Sequence, residues 1–331
     1  MQRREFIALL GGAAAAWPLP TRARQATAAA GPVWRVGHIL LGTPESFGHL
    51  AKALENQLAD LGYVPGQNLV LVNRYTAPEP KSLEETIAAL IPEIDLLVVW
   101  STVGGVAARK LARKIPVVFM SVSAPVSIGI VDSLSHPGGN MTGITFEAAE
   151  ETYAKRLQIL KEIVPRATRI GVLGAKGDVN VPFAMTSLQK AASTFSITLI
   201  PVEVTAADDL NRAFDEMQQT RTEALIVIAG ALTYVNGKAI ADLAIAHNLP
   251  ACHGFRETVA LGGLVSLGPD LVAMTGQGAV YIDKIIHGAN PGELPVQQPV
   301  RYELHVNLKT AETLGLKIPD TLLTRADQVI E

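Results

Sequence analysis

The chain has 331 residues, 48% of them hydrophobic and 18% charged, with a formal net charge of −3, enough material for about two globular cores. The first thirty residues hold four arginines against one acid, so the remainder carries 24 of the 28 basic and 30 of the 31 acidic residues, a net of −6. Such a body lacks the clustered basic surface that nucleic acid requires. The single cysteine, Cys252, excludes an internal disulfide, and no Cys/His spacing fits a zinc site.

Residues 1–30 read as an export signal: the pair Arg3-Arg4, an uncharged run from Phe6 to Pro20, then small residues around Ala26 to Ala30. The run is short for a membrane span. The arginine pair before Phe6-Ile7 is of the twin-arginine kind, although Gln2 stands where a serine or threonine is usual. Cleavage after Ala28 or Ala30 is expected, leaving a mature protein free in the periplasm with no membrane span.

From Val33 onward strand and helix patterns alternate. WRVGHILL is a first strand, and the helix after it places Leu50, Leu54, Leu58 and Leu61 on one face. NLVLVNRY is a second strand and Lys81 to Ile91 a second helix. The central unit runs from Asp95 to Val126. Leu96 to Val99 is a strand apolar on both faces, stopping at Trp100, Ser101 and Thr102. A helix starts there, with Gly104 and Gly105 in its first turn and Arg109, Lys110, Arg113 and Lys114 near its end. Pro116 then leads a fourth strand, Val117 to Met120. A Pro-Gly-Gly-Asn turn precedes a short β-type run, and the first crossing between lobes is expected at Met141 to Glu147. A helix with Tyr153, Leu157, Leu160 and Val164 follows.

The pattern then repeats. RVGHILLG at Arg35 is matched by RIGVLGAK at Arg169, an offset of 134 residues that also carries Pro116 onto Pro250. ALIVIAG at Ala224 supplies the corresponding third strand, GGLVSLGPD another strand, Leu271 to His287 an amphipathic helix and RYELHVNL a late strand. The expectation is an α/β protein of two Rossmann-like βα lobes with parallel sheets, joined by a hinge of several strands. Residues 33–145 plus 264–290 are assigned to the first lobe and 146–263 plus 291–331 to the second.

Ligands of parallel sheets sit beyond the carboxyl ends of the strands. The turns there name the candidate contacts. Thr43 and Ser46 follow the first strand, and Trp100, Ser101, Thr102 and Val103 the third. Ser123 and Pro125 follow the fourth. In the second lobe the candidates are Asp178 and Asn180, then Thr233, then Phe255, Arg256 and Glu257. Trp100 is suited to stacking on a ring, and Thr102 with its helix start to holding a carboxylate. Arg256 offers a bidentate charge partner, unless it pairs with Glu257, and Asp178 and Asn180 suit an amine. No catalytic residue, metal ligand or cofactor site is expected: GxGxxG, GxSxG and P-loop motifs are missing and the seven histidines are scattered.

With those residues in view, the chain resembles the exported solute-binding proteins of ABC transporters with the type I periplasmic-binding fold, in the subfamily that contains tryptophan-binding members. The resemblance rests on RREFIALLGG, LGYVPGQN, IPVVF, SHPGGNMTGIT, LQILKEIVP, GFRETVALGGLVSLG and, most specifically, the tail from LPVQQPVRYELHVNL to the end. It implies a monomeric two-lobed binder that closes on an amino acid or an aromatic, carboxylate-bearing solute and delivers it to a permease in the inner membrane. A ligand-sensing partner of a membrane receptor, or an exported enzyme on the same fold, are the competing readings. The sequence departs from relatives at three places near the mouth. Ser101-Thr102-Val103 replaces Gly-Thr-Pro, Ala124 stands where an aspartate is common, and Leu267 where a tyrosine is common.

Overall fold

The computed structural model describes residues 32–146, 151–299 and 301–331. The expected export signal and the end of the expected first crossing, at Glu147, lie outside the described residues.

The first half folds as β1 (Trp34–Leu41), α1 (Pro44–Asp60), β2 (Leu69–Thr76), α2 (Pro80–Leu90), β3 (Leu96–Trp100), α3 (Ser101–Leu111), β4 (Val117–Val122) and β5 (Met141–Thr145). The strands form one parallel sheet in the order β2-β1-β3-β4-β5. Every residue of β3 is buried, as a continuous apolar run in the middle of a two-faced sheet requires. Leu50, Leu54 and Leu58 form the buried face of α1. Gly105 lets α3 lie close on its neighbours, because a methyl there would sit 2.9 Å from Ile130 and 3.0 Å from Val122.

The second half begins with α4 (Glu151–Ile163), β6 (Arg169–Ala175), α5 (Asn180–Phe195), β7 (Thr198–Val204), α6 (Leu210–Gln219) and β8 (Ala224–Val227). It continues with α7 (Ala231–Val235), α8 (Gly237–Ala246), β9 (Ala251–His253), α9 (Arg256–Ala260), β10 (Val265–Pro269) and α10 (Leu271–Ile286). The chain ends in β11 (Tyr302–Asn307), α11 (Leu308–Thr313), α12 (Asp320–Arg325) and β12 (Gln328–Ile330). The second sheet runs β12-β11-β10-β9-β8-β6-β7. Read from β7, its first five strands repeat the order of the first sheet, which is the topological counterpart of the 134-residue offset. In β8, Ala224 and Ile226 join one apolar layer while Leu225 and Val227 join the other, the period-two alternation of a strand covered on both faces. The two parallel-dominated α/β sheets are the architecture expected.

Three boundaries differ from expectation. Met141–Thr145 completes the first sheet, so the crossing follows it. The stretch 264–290 divides: β10 pairs in parallel with β9 and antiparallel with β11, so it belongs to the second sheet, and only α10 packs on the first lobe, burying Met274, Tyr281 and Ile282 there. Residues 291–297 stay with the first lobe, because Thr142 Oγ1 donates to the Leu294 carbonyl (2.7 Å), Gln297 bridges Ile144 and Val296 enters the first core. The chain thus passes between sheets three times: after Phe146, at Asp270, and between Gln297 and Tyr302.

Candidate functional site

The carboxyl ends of both sets of strands face a common cleft, and the lobes touch across it. On the first lobe, Ser101 (φ 68°) and Ser121 (φ 61°) adopt left-handed backbone conformations where β3 and β4 end. Such conformations are uncommon outside glycine and concentrate at functional turns. Ser101 therefore occupies a backbone geometry that glycine adopts without strain. Thr102, fully buried in the first turn of α3, accepts the Ser123 N–H at Oγ1 (3.0 Å) and donates from the same hydroxyl to Asn180 Oδ1 of the second lobe (3.1 Å). Asn180 opens α5 and donates from Nδ2 to the Ala229 carbonyl (3.3 Å). One hydroxyl thus links three strand ends and both lobes.

These groups wall a cavity of about 30 Å³, room for one or two water molecules. Its polar wall is Ser101, Thr102, Ser121, Ser123 and Asn180; its apolar wall is Phe47, Phe146, Tyr234 and Phe255, with Leu41 and Leu271. The rings interlock: Tyr234 lies 4.5 Å from Phe47 and 4.8 Å, edge-on, from Phe255, which lies 5.3 Å from Phe146. Burial raises the pKa of the Tyr234 phenol, first by desolvation and then by the Glu257 charge, and its hydroxyl has no hydrogen-bond partner among the described residues. Among the described residues no charged side chain lines this cavity. Hydroxyls, an amide and the N-terminal ends of α3 and α5 are its polar resources, and helix starts favour an anionic group. The small volume means that an aromatic ring enters only when the lobes move apart.

Beside it, at the cleft rim, lies a pocket of about 180 Å³ lined by Pro78, Glu79, Pro80 and Val103 of the first lobe and by Lys176, Asp178, Thr205 and Leu232 of the second. Asp178 is buried there; desolvation raises its carboxyl pKa, while Oδ1 accepts the Asn180 N–H (2.9 Å).

Of the residues singled out in the sequence, Ser101, Thr102, Ser123, Asn180 and Phe255 line the cavity and Val103 and Asp178 the rim pocket. The others do different work. Thr43 and Ser46 close the start of α1 on each other, the Thr43 N–H donating to Ser46 Oγ and that hydroxyl to the Thr43 carbonyl (both 3.0 Å). Pro125 is buried and its carbonyl takes the Ile130 N–H (2.8 Å). Thr233 folds its hydroxyl back onto the Ile228 carbonyl (2.7 Å).

Trp100 is a correction. It is a core residue behind the cavity wall, not a stacking platform. Its indole donates to His38 Nε2 (2.8 Å), and His38 Nδ1 lies 2.9 Å from Asn73 Oδ1. Because indole only donates, His38 must be neutral with its proton on Nδ1. Burial holds its pKa down at about 4.

Arg256 is the second correction. It does not line the cavity. Its guanidinium is engaged by Asp270 Oδ1 (2.7 Å), Glu303 Oε2 (2.9 Å) and, more loosely, Glu257 Oε1 (3.7 Å). Asp270 ends β10 and caps α10 through the Val272 N–H (2.8 Å), and Glu303 lies at the start of β11, so Arg256 ties together two of the three crossings. His305 Nε2 approaches Glu303 (3.1 Å), and His49 of the first lobe lies 3.9 Å from Glu257. Burial raises the Glu257 pKa despite the pull of Arg256. Glu257 therefore belongs to the hinge cluster rather than to the cavity.

Phe47, Tyr234, Phe146 and Leu271 line the cavity without being among the sequence candidates. Tyr234 sat inside a turn already assigned to the mouth. Phe146 and Leu271 come from crossing segments and carry no strand-end signal.

Comparison with known proteins bears on the family and the fold. Residues 44–330 match the profile of the family described as ABC transporter substrate binding protein. A tyrosine-binding protein of Clostridioides difficile is 24% identical over 268 residues, 80% of this chain and 76% of that protein. Among solved structures, a conserved domain protein from Vibrio cholerae superposes with a TM-score of 0.83 at 25% identity, covering 90% of this chain and 99% of that one. A domain from Streptococcus pneumoniae in complex with L-Trp superposes at 0.80 and 20% identity, covering 89% and 100%.

Proposed function

The chain belongs to the ABC transporter substrate binding protein family, and on that premise we propose that it captures a small aromatic, carboxylate-bearing solute, of the amino-acid or aromatic-acid class, between its lobes. The observation that carries this is the cavity: four aromatic rings facing a wall of hydroxyls and helix starts, contributed by both lobes and by the segments that join them. The rings supply apolar area for a ligand ring, and the N-terminal ends of α3 and α5 receive its carboxylate. The tyrosine and tryptophan named for similar proteins support the same class.

The protein acts outside the cytoplasm after twin-arginine export and removal of residues up to about Ala28 or Ala30, and passes its ligand to an ABC permease in the inner membrane. Among the described residues no helix is long and apolar enough to cross a membrane. Native mass spectrometry of the freshly purified protein, followed by thermal-shift measurements with aromatic amino acids and aromatic acids, tests the reading: a ligand that binds only the folded form raises the melting temperature. No carried-over small molecule and no shift with either class would overturn it. Intact mass of the exported form tests processing, where a full-length mass would contradict it.

A further inference from the structure

The cations on the outer face of α3 have no part in the cleft. Val106, Arg109, Lys110 and Arg113 stand at positions i, i+3, i+4 and i+7, all exposed, and so form a single stripe along the helix and just past its end. With Gly139 and Asn140 they enclose a hollow of about 560 Å³ beside the amino ends of β4 and β5. The ligand cavity lies at the carboxyl ends of the same sheet. The hollow therefore opens on the opposite face of the first lobe.

Cations near a helix C-terminus are favoured by its dipole, yet another group closes the end of α3: Asn140 Nδ2 donates to the carbonyls of Ala112 (2.6 Å) and Ile115 (2.5 Å). The arginines are held by their inner nitrogens. Arg109 Nε donates to the Gly129 carbonyl and Arg113 Nε to the Lys110 carbonyl (both 3.3 Å). Among the described residues no carboxylate pairs with either guanidinium; the acidic partner on this face, Glu84, is taken by Lys110 (2.7 Å). Asp132, which lies against Gly138, does not line the hollow. Gly138 and Gly139 both adopt left-handed conformations (φ 66° and 62°), and a methyl on Gly139 would lie 3.8 Å from Arg109 Nη1. A side chain there would strain the turn and narrow the hollow.

We propose that this hollow binds a phosphate group. Two guanidinium forks without acidic partners, each able to hold two oxygens, match the geometry of that anion, with the Lys110 ammonium as a point charge beside them. Val106, 45% exposed, adds an apolar edge. Phosphate carried on a phospholipid headgroup and free phosphate share the chemistry that the arginines read. Because the site faces away from the cavity, it acts independently of solute capture.

Co-sedimentation of the exported form with vesicles of phosphatidylcholine alone, and of phosphatidylcholine mixed with phosphatidylglycerol, tests it, beside equilibrium dialysis against radiolabelled inorganic phosphate. Retention on the phosphatidylglycerol vesicles makes the headgroup the source, and binding in dialysis makes it the free anion; either supports the site if Arg109→Gln/Arg113→Gln abolishes it. Each glutamine is expected to weaken binding about fivefold and the pair about 25-fold. Thermal melts should match the parent, because both side chains are exposed. Arg109→Lys/Arg113→Lys keeps the charge but not the forks and is expected to bind at least about threefold less well than the parent. No binding in either assay, binding retained by the double glutamine variant, or undiminished binding by the double lysine variant would overturn the assignment.

Discussion

The cleft and the hinge lie a few residues apart in the chain and are built from opposite materials. Among the described residues the cavity is walled by rings, hydroxyls and one amide without a charged side chain, whereas the hinge gathers Arg256, Glu257, Asp270, Glu303 and His305 around a single guanidinium. Phe255 faces the cavity and Arg256, the next residue, faces the hinge. The difference separates two tasks. Charge is placed where two of the three chain crossings must keep a fixed geometry, and neutral dipoles where a ligand must enter and leave.

Acid puts the greatest strain on this division. His38, behind the cavity wall, and His253, in the second sheet, are buried and neutral, with pKa values lowered by burial to about 4 from 6.5. The unfolded chain takes a proton near pH 6.5 that the folded chain refuses until about pH 4, so stability falls as pH drops through that window and is unaffected above it. Each histidine accounts for a loss on the order of 3 kcal/mol by pH 4. Denaturant melts at pH 7 and pH 4.5 check this, and an unchanged midpoint would show that neither histidine is held neutral.

Next in size is the hinge. Arg256→Met leaves Asp270, Glu303 and Glu257 without their common partner. Because the pairs are partly solvated, with side-chain exposures of 17–28%, the expected loss is about 2–3 kcal/mol rather than the larger figure for a fully buried pair. A melting temperature lower by about 3–5 °C would show it. Trp100→Phe removes the donor to His38 Nε2 and leaves a buried acceptor unpaired, at a cost of about 1–2 kcal/mol of stability, with ligand affinity within about threefold of the parent. A large affinity loss there would return Trp100 to the ligand site. The smallest effect is expected from Thr102→Val, which keeps the shape but loses the hydroxyl joining Ser123 to Asn180; calorimetry should read a loss of about 1 kcal/mol in binding, roughly fivefold.

Much of this was legible in one dimension. The 134-residue offset between Arg35 and Arg169, and between Pro116 and Pro250, foretold two lobes, and the order of β7-β6-β8-β9-β10 repeats that of β2-β1-β3-β4-β5. Turns after apolar strands located Ser101, Thr102, Ser123 and Asn180 because a parallel sheet puts all such ends on one side. What sequence could not supply was pairing at a distance. The run VSLGP reads as a strand wherever it lies, and only its partners Cys252 and Val306 assign it to the second sheet. A tryptophan ending a strand looks the same whether it faces a ligand or His38, 62 residues earlier. Arg256 beside Glu257 suggested a local pair, while Glu303, 47 residues on, was invisible.

The most direct measurement is a calorimetric titration of folded Arg256→Met, beside the parent, with whichever aromatic amino acid the parent binds best. If the cleft recognises its ligand through neutral groups and the arginine serves the hinge, the variant binds within about tenfold of the parent despite its lower melting temperature. A loss well beyond tenfold in a variant shown to be folded would make the guanidinium a ligand partner and contradict the separation of cleft from hinge.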